Sequence, residues 1–180
     1  MPDAPPPVTP PADLSADRHR DLAGRGHEPW VRRGVLLVFL ALIALGLANV
    51  FGQRATTSSA SGAAAELTVE APERLRGGVL GQGVIRVDAV ERIAQPRLVL
   101  DQGWVEGITI NTISPEAADQ GVDAGRPVLA YGELPGGDSL TVRIAYQVNS
   151  TTIGSEPGGV VLLDGDTEIA RVDRTVVVFP

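Results

Sequence analysis

Leu140-Thr141-Val142-Arg143-Ile144-Ala145-Tyr146-Gln147-Val148-Asn149 is the stretch that decides the fold. Apolar Leu140, Val142, Ile144, Tyr146 and Val148 alternate with Thr141, Arg143, Ala145, Gln147 and Asn149. A period of two held this long describes a strand with one face on a core and the other in water. Leu134-Pro135-Gly136-Gly137-Asp138 just before it is a turn, because proline and glycine supply the dihedral angles a turn needs.

The same pattern recurs on either side. Leu67 to Ala71 alternates with Leu67, Val69 and Ala71 inward. Val84 to Val90 places Ile85, Val87 and Ala89 on one face and Arg86 and Asp88 on the other. Arg97–Leu100, Ile108–Ile113, Pro127–Tyr131 and the β-branched run Arg174–Phe179 are further strands. Val160–Leu163 and Thr167–Ala170 flank Asp164-Gly165-Asp166 as a hairpin. Ser114-Pro115-Glu116 is suited to one helical turn, with serine capping and proline in the first position. Seven to nine short strands roughly ten residues apart predict a mainly β domain, an antiparallel Ig-like β-sandwich over residues 66–180. A jelly roll or barrel would share the signature. With no cysteine in the chain, the antibody-type cysteine–tryptophan–cysteine core is excluded.

Upstream lies a different material. Gly34 to Phe51 reads GVLLVFLALIALGLANVF, without a charge and with Asn49 as its one strongly polar member. Eighteen helical residues cover about 27 Å, close to the hydrocarbon thickness of a bilayer. A core helix of a soluble protein needs a polar side, which this run lacks. Residues 31–52 are therefore expected to form a single transmembrane α-helix. Gly34, Val35, Leu36, Leu37, Val38, Phe39, Leu40, Leu42, Ile43, Leu45, Leu47, Val50 and Phe51 would meet the bilayer. Ala44 and Ala48 form a small-xxx-small pair, although alanine is common enough in this chain to explain it.

Arg18, Arg20, Arg25, Arg32 and Arg33 precede the run, and only Arg54 lies in the twenty residues after it. Positive charge stays on the cytoplasmic side. Arg32 and Arg33 thus set a cytoplasmic N-terminus and an extracytoplasmic C-terminal domain at the cell membrane, with Trp30 at the interface. A cleaved signal peptide is the rival expectation: Gly46-Leu47-Ala48 offers small residues to a peptidase, and Arg32-Arg33 has the form of a twin-arginine signal. Residues 1–30, with PPP and PP runs and no apolar period, read as a disordered cytoplasmic tail. Its prolines could dock as a polyproline helix, although a solvated tail is the ordinary role. The Ser/Thr/Ala/Gly-rich residues 53–65 read as a flexible linker.

Composition narrows the function classes. From Glu66 to Pro180 there are 17 acids and 9 arginines, a net of −8 out of −7 for the whole chain. Acidic surface is unsuited to nucleic acid, which needs clustered positive charge. All fifteen basic residues are arginine, which together with high Ala, Gly and Pro usage points to a high-GC bacterial source.

Tyr131-Gly132-Glu133-Leu134-Pro135-Gly136-Gly137-Asp138-Ser139-Leu140-Thr141-Val142 resembles the late strand–turn–strand of Ig-like domains in bacterial surface proteins. The whole arrangement is similar to single-pass actinobacterial membrane proteins of unknown function with an extracytoplasmic Ig-like domain. The resemblance implies a fold and a location, and brings no catalytic residues.

His19 and His27, the only histidines, lie before the apolar run. The C-terminal domain thus has no histidine base, no Ser-His-Asp arrangement and no histidine metal ligand. A carboxylate pair could hydrolyse glycosides, yet sugar platforms are few: Trp104, Tyr131, Tyr146 and Phe179 are its aromatic residues. Asp164, Asp166 and Glu168 offer oxygen ligands at alternate positions, but without EF-hand spacing they read as a hairpin tip. Trp104, flanked by Gly103 and Gly107 and followed by Glu106, could anchor a partner; a tryptophan in a small domain more often caps one end of the core. No enzyme and no cofactor is expected. The expected function is a membrane-anchored, non-catalytic binding or structural module of the cell envelope, an accessory subunit touching the lipid bilayer and another envelope or membrane protein. A carboxylate-type envelope hydrolase, or a secreted domain freed by signal cleavage, is the alternative.

Overall fold

A computed structural model describes residues 28–47 and 53–179. The chain divides into two compact units, one holding a helix and the other all the strands.

Helix α1 spans Glu28–Leu47. It begins three residues before the expected span, because Pro29 fits the first turn of a helix, where a backbone N–H has no partner to lose. Its stretch Pro29–Leu47 is long and apolar enough to cross a membrane. Every side chain described in it is exposed, the valines and leucines included. The Arg33 guanidinium sits 5.3 Å from the centre of the Trp30 ring, one turn away. Val50 and Phe51, expected to continue the span, lie outside the described residues, as do residues 1–27 of the expected tail.

The second unit is an antiparallel Ig-like β-sandwich. Its strands are β1 (Ala55–Ser61), β2 (Ala65–Pro72), β3 (Arg74–Arg76), β4 (Leu80–Ala89), β5 (Pro96–Leu100), β6 (Ile108–Ser114), β7 (Asp119–Asp123), β8 (Arg126–Ala130), β9 (Ser139–Val148), β10 (Gly154–Pro157), β11 (Val160–Asp164), β12 (Thr167–Val172) and β13 (Thr175–Phe179). One sheet has the order β1-β2-β4-β9-β6 and the other β12-β11-β5-β8-β7. A small sheet, β10-β13-β3, carries the parallel pair β13–β3.

The two large sheets share one core. Leu67, Val69, Ile85, Val87, Val142 and Ile144 face Leu98, Leu100, Leu129, Val160 and Leu162 across it. Burial on β9 alternates as its sequence requires, with Val142, Ile144, Tyr146 and Val148 buried and Arg143 and Gln147 exposed. On the outer face of the second sheet, Val99, Val128 and Val161 sit in one cross-strand row and form a small separate cluster.

Four strands depart from the sequence expectation. β1 occupies the stretch expected to be a flexible linker, paired along its length with β2 from Ala55–Pro72 to Ser61–Glu66. It has no apolar alternation to read: a ladder to a strongly buried neighbour holds it, and Ala60 alone reaches the core. The short β7 and β10 carry no alternation either, and β3, with Leu75 buried between Arg74 and Arg76, is too brief for its alternation to stand out. β7 is exposed throughout and is held by a two-residue turn at Ala124 and Gly125, with φ 47° and 81°. Both residues have the positive φ that a type I′ hairpin requires. The helical turn expected at Ser114-Pro115-Glu116 does not form; β6 ends at Ser114, and the chain continues irregularly into β7.

Candidate functional site

The loop after β5 holds the residues singled out for binding. Its backbone closes into a short 3-10 turn at Gln102–Trp104, with the Trp104 N–H donating to Asp101 O at 3.0 Å. That turn drives the indole inward. Trp104 is 5% exposed, its Nε1 donates to Gly158 O at 3.0 Å, and its ring stands edge-on to Tyr146 with centroids 6.3 Å apart. The partner-anchor role offered for Trp104 does not fit this placement, because so covered a ring presents no face to a partner. It caps the core. Glu106 is exposed beside Thr152, Ile153 and Glu156 on the rim of a small depression, apart from the indole's buried face.

Two glycines on β4 make room for the aromatic pair. Tyr146 lies directly opposite Gly81 in the β4–β9 register. A Cβ at Gly83 would lie 2.5 Å from the Trp104 ring, and one at Gly81 would overlap the Tyr146 ring. Both glycines occupy inward positions, where the alternation of β4 otherwise places Ile85 and Val87. Glycine at alternate positions of a strand is the sequence signal that could have located the aromatic pair.

Arg174, which sequence reasoning placed simply at the start of the last strand, is the one buried charged residue among the described residues, at 8% exposure. One terminal nitrogen donates to Val69 O at 3.1 Å. The other donates to Ala71 O and, at 2.7 Å, to Thr56 Oγ1. Thr56 in turn donates to Ala71 O at 3.2 Å, and Glu73 lies 3.5 Å from the guanidinium. Burial pushes the Arg174 pKa down, and the nearby Glu73 pulls it back. Burial also pushes the Tyr146 hydroxyl up to about 12, with the Arg174 charge opposing.

Several carboxylates are paired, each with a partner of its own. Arg86 pairs with Asp88 at 2.7 Å, Arg92 with Glu133 at 2.7 Å and Arg171 with Glu168 at 3.0 Å, each lowering its partner's pKa through a direct hydrogen bond. At the β11–β12 hairpin, Asp164 accepts from the Gln95 N–H and Asp166 pairs with Arg97, so the alternating acids point to separate partners. Among the described residues, no three His, Cys, Asp or Glu side chains gather as a metal site.

Fold and site thus define an Ig-like β-sandwich accompanied by one apolar N-terminal helix. No family model matches the chain, and no curated protein matches it either. Among solved structures it is similar to a non-cellulosomal cohesin from the hyperthermophilic archaeon Archaeoglobus fulgidus, with 14% identity and a TM-score of 0.40 over 71% of this chain and 92% of that one. It is also similar to the CARDB domain of a Pyrococcus furiosus protein in complex with di-metal ions, with 12% identity and a TM-score of 0.39 over 66% and 92%. A Niemann-Pick type C2 protein from the Japanese carpenter ant gives 8% identity and a TM-score of 0.36 over 59% and 79%.

Proposed function

We propose that this chain is a single-pass protein of a bacterial cell envelope that presents its sandwich outside the membrane as a non-catalytic binding or structural module, an accessory subunit to another envelope or membrane protein. The observation that carries the proposal is the exposure of α1. Its valines, leucines and Phe39 are exposed on every side, whereas the sandwich encloses an apolar core of its own. Water is a poor surrounding for such a helix and lipid a good one. Arg32 and Arg33 at its start favour a cytoplasmic N-terminus. The binding role is supported by the site chemistry: Asp88, Glu133, Asp166 and Glu168 are each tied to an arginine, and buried Trp104 and Arg174 serve the fold.

Cell fractionation tests the proposal. The full 18.8 kDa chain is expected in the membrane pellet after an alkaline carbonate wash, with the sandwich open to protease from outside the cell. A mature protein beginning near Asn49 or Gly62 would replace the anchor with a cleaved signal. Saturable glycan hydrolysis by the purified chain would overturn the non-catalytic role.

A further inference from the structure

The sandwich has two ends, and they are not alike. At one end β1 begins, and Gln53 and Ala55 line a shallow depression together with Pro72 and Leu80. The same end holds the loop from β3 to β4, the loop from β9 to β10 and the last residue of β13. The Gly77 N–H donates to Phe179 O, the Val148 N–H donates to Val79 O, and Gly154 pairs with Val178, which brings Ile153 beside Phe179. Four large apolar side chains are exposed there: Val79 at 40%, Leu80 at 66%, Ile153 at 67% and Phe179 at 45%. Among the described residues of the sandwich only Val90 and Val122 are comparable, and Val90 lies at the opposite end, beside the β1–β2 turn. Exposed Arg54 and Arg76 lie on the β1 and β3 side of this group, while Glu70 borders Leu80 and Glu106 and Glu156 border Ile153.

We propose that this end, formed by Val79, Leu80, Ile153 and Phe179 with Arg54 and Arg76, rests on the anionic headgroup surface of the bilayer. The inference rests on the membrane-anchor reading. Covalent geometry supports it: because β1 takes up Ala55–Ser61, only six chain steps separate Leu47 from Gln53, at most about 20 Å of extended backbone. A linker free over residues 53–65 would have let the domain drift away; a chain tied into the sheet from Ala55 onward keeps this end near the membrane. Apolar side chains with Arg54 and Arg76 beside them suit an interface where acyl chains meet anionic headgroups.

The chain has no cysteine, so single labels are straightforward. Leu80→Cys, Ile153→Cys and Val90→Cys would each carry a polarity-sensitive fluorophore on the full chain, reconstituted in vesicles of phosphatidylcholine and phosphatidylglycerol. The labels at 80 and 153 are expected to shift to the blue and to be quenched from within the lipid, while the label at 90 stays in water. Arg54→Gln and Arg76→Gln should each lower the ratio of docked to undocked domain about fivefold in anionic vesicles, and should change little in purely neutral ones. Labels at 80 and 153 as wet as that at 90, on a chain that withstands the alkaline wash, would overturn the docking and leave the anchor standing. A chain that washes off would overturn both. Protection that persists in detergent and rises with protein concentration would assign the patch to a second copy and overturn the lipid assignment.

Discussion

Arg174 shows how one side chain can serve two strands. Its donors satisfy carbonyls of β2 and the Thr56 hydroxyl of β1, so its removal leaves buried acceptors unpaired. Hydrogen bonds to a charged group contribute about 1.5–3 kcal/mol net. Arg174→Met should therefore cost roughly 2–4 kcal/mol by denaturant titration; a loss well under 1 kcal/mol would contradict the network. Trp104→Ala removes a buried ring and orphans Gly158 O, for an expected loss of about 3–5 kcal/mol. Trp104→Phe should lose less, because a ring still fills the space. Tyr146 brings a pH dependence. Its folded pKa, about 12, lies above the ordinary 10, so the folded state holds the proton more tightly. Stability is fully present below pH 10 and falls as pH rises from 10 towards 12. Burial pushes the Tyr131 hydroxyl up to about 12 as well, so Tyr146→Phe should reduce that fall without abolishing it, read as Tm against pH.

At the scale of elements, β4 and β1 make opposite demands on sequence. β4 needs empty space at Gly81 and Gly83, and Gly83→Val should cost about 1–3 kcal/mol by forcing its side chain into the Trp104 ring. β1 depends on its ladder to β2, with no residue buried and only Thr56 reaching the Arg174 network. Its amides are expected to exchange with solvent faster than those of β4 and β9, which lie inside the sheet with Ile85 and Ile144 fully buried. Equal protection of β1 and β9 would show that the strand is held by more than backbone pairing. Missing β1 from sequence has a clear cause. Ala-Thr-Thr-Ser-Ser-Ala-Ser carries no period of two, and an edge strand with a polar outer face can be written in the residues of a tether.

Over the whole molecule, charge and packing act on separate surfaces. The pairs Arg86–Asp88, Arg92–Glu133 and Arg171–Glu168 are exposed, where solvent and salt screen them and each adds little. Asp88, Glu133 and Glu168 have lowered pKa values, so their small contributions hold above the ordinary carboxylate range and fade as pH falls through it. The sandwich should lose little stability in mild acid and more above pH 10, where the Tyr146 hydroxyl ionises in the unfolded chain while the folded state still holds its proton. The sequence by itself determined the β class, the strands with strict alternation and the apolar helix, because period and hydropathy are local properties. Leu140 to Asn149 announced β9 almost residue for residue. Tertiary structure alone decided that the residues at 55–61 form a strand, that Trp104 turns inward beneath Gly158 and that Arg174 is buried. It also gathered Val79, Leu80, Ile153 and Phe179 from three distant segments onto one end. Each of these depends on partners tens of residues away, and a one-dimensional pattern does not encode which neighbour a backbone N–H, an indole or a guanidinium will meet.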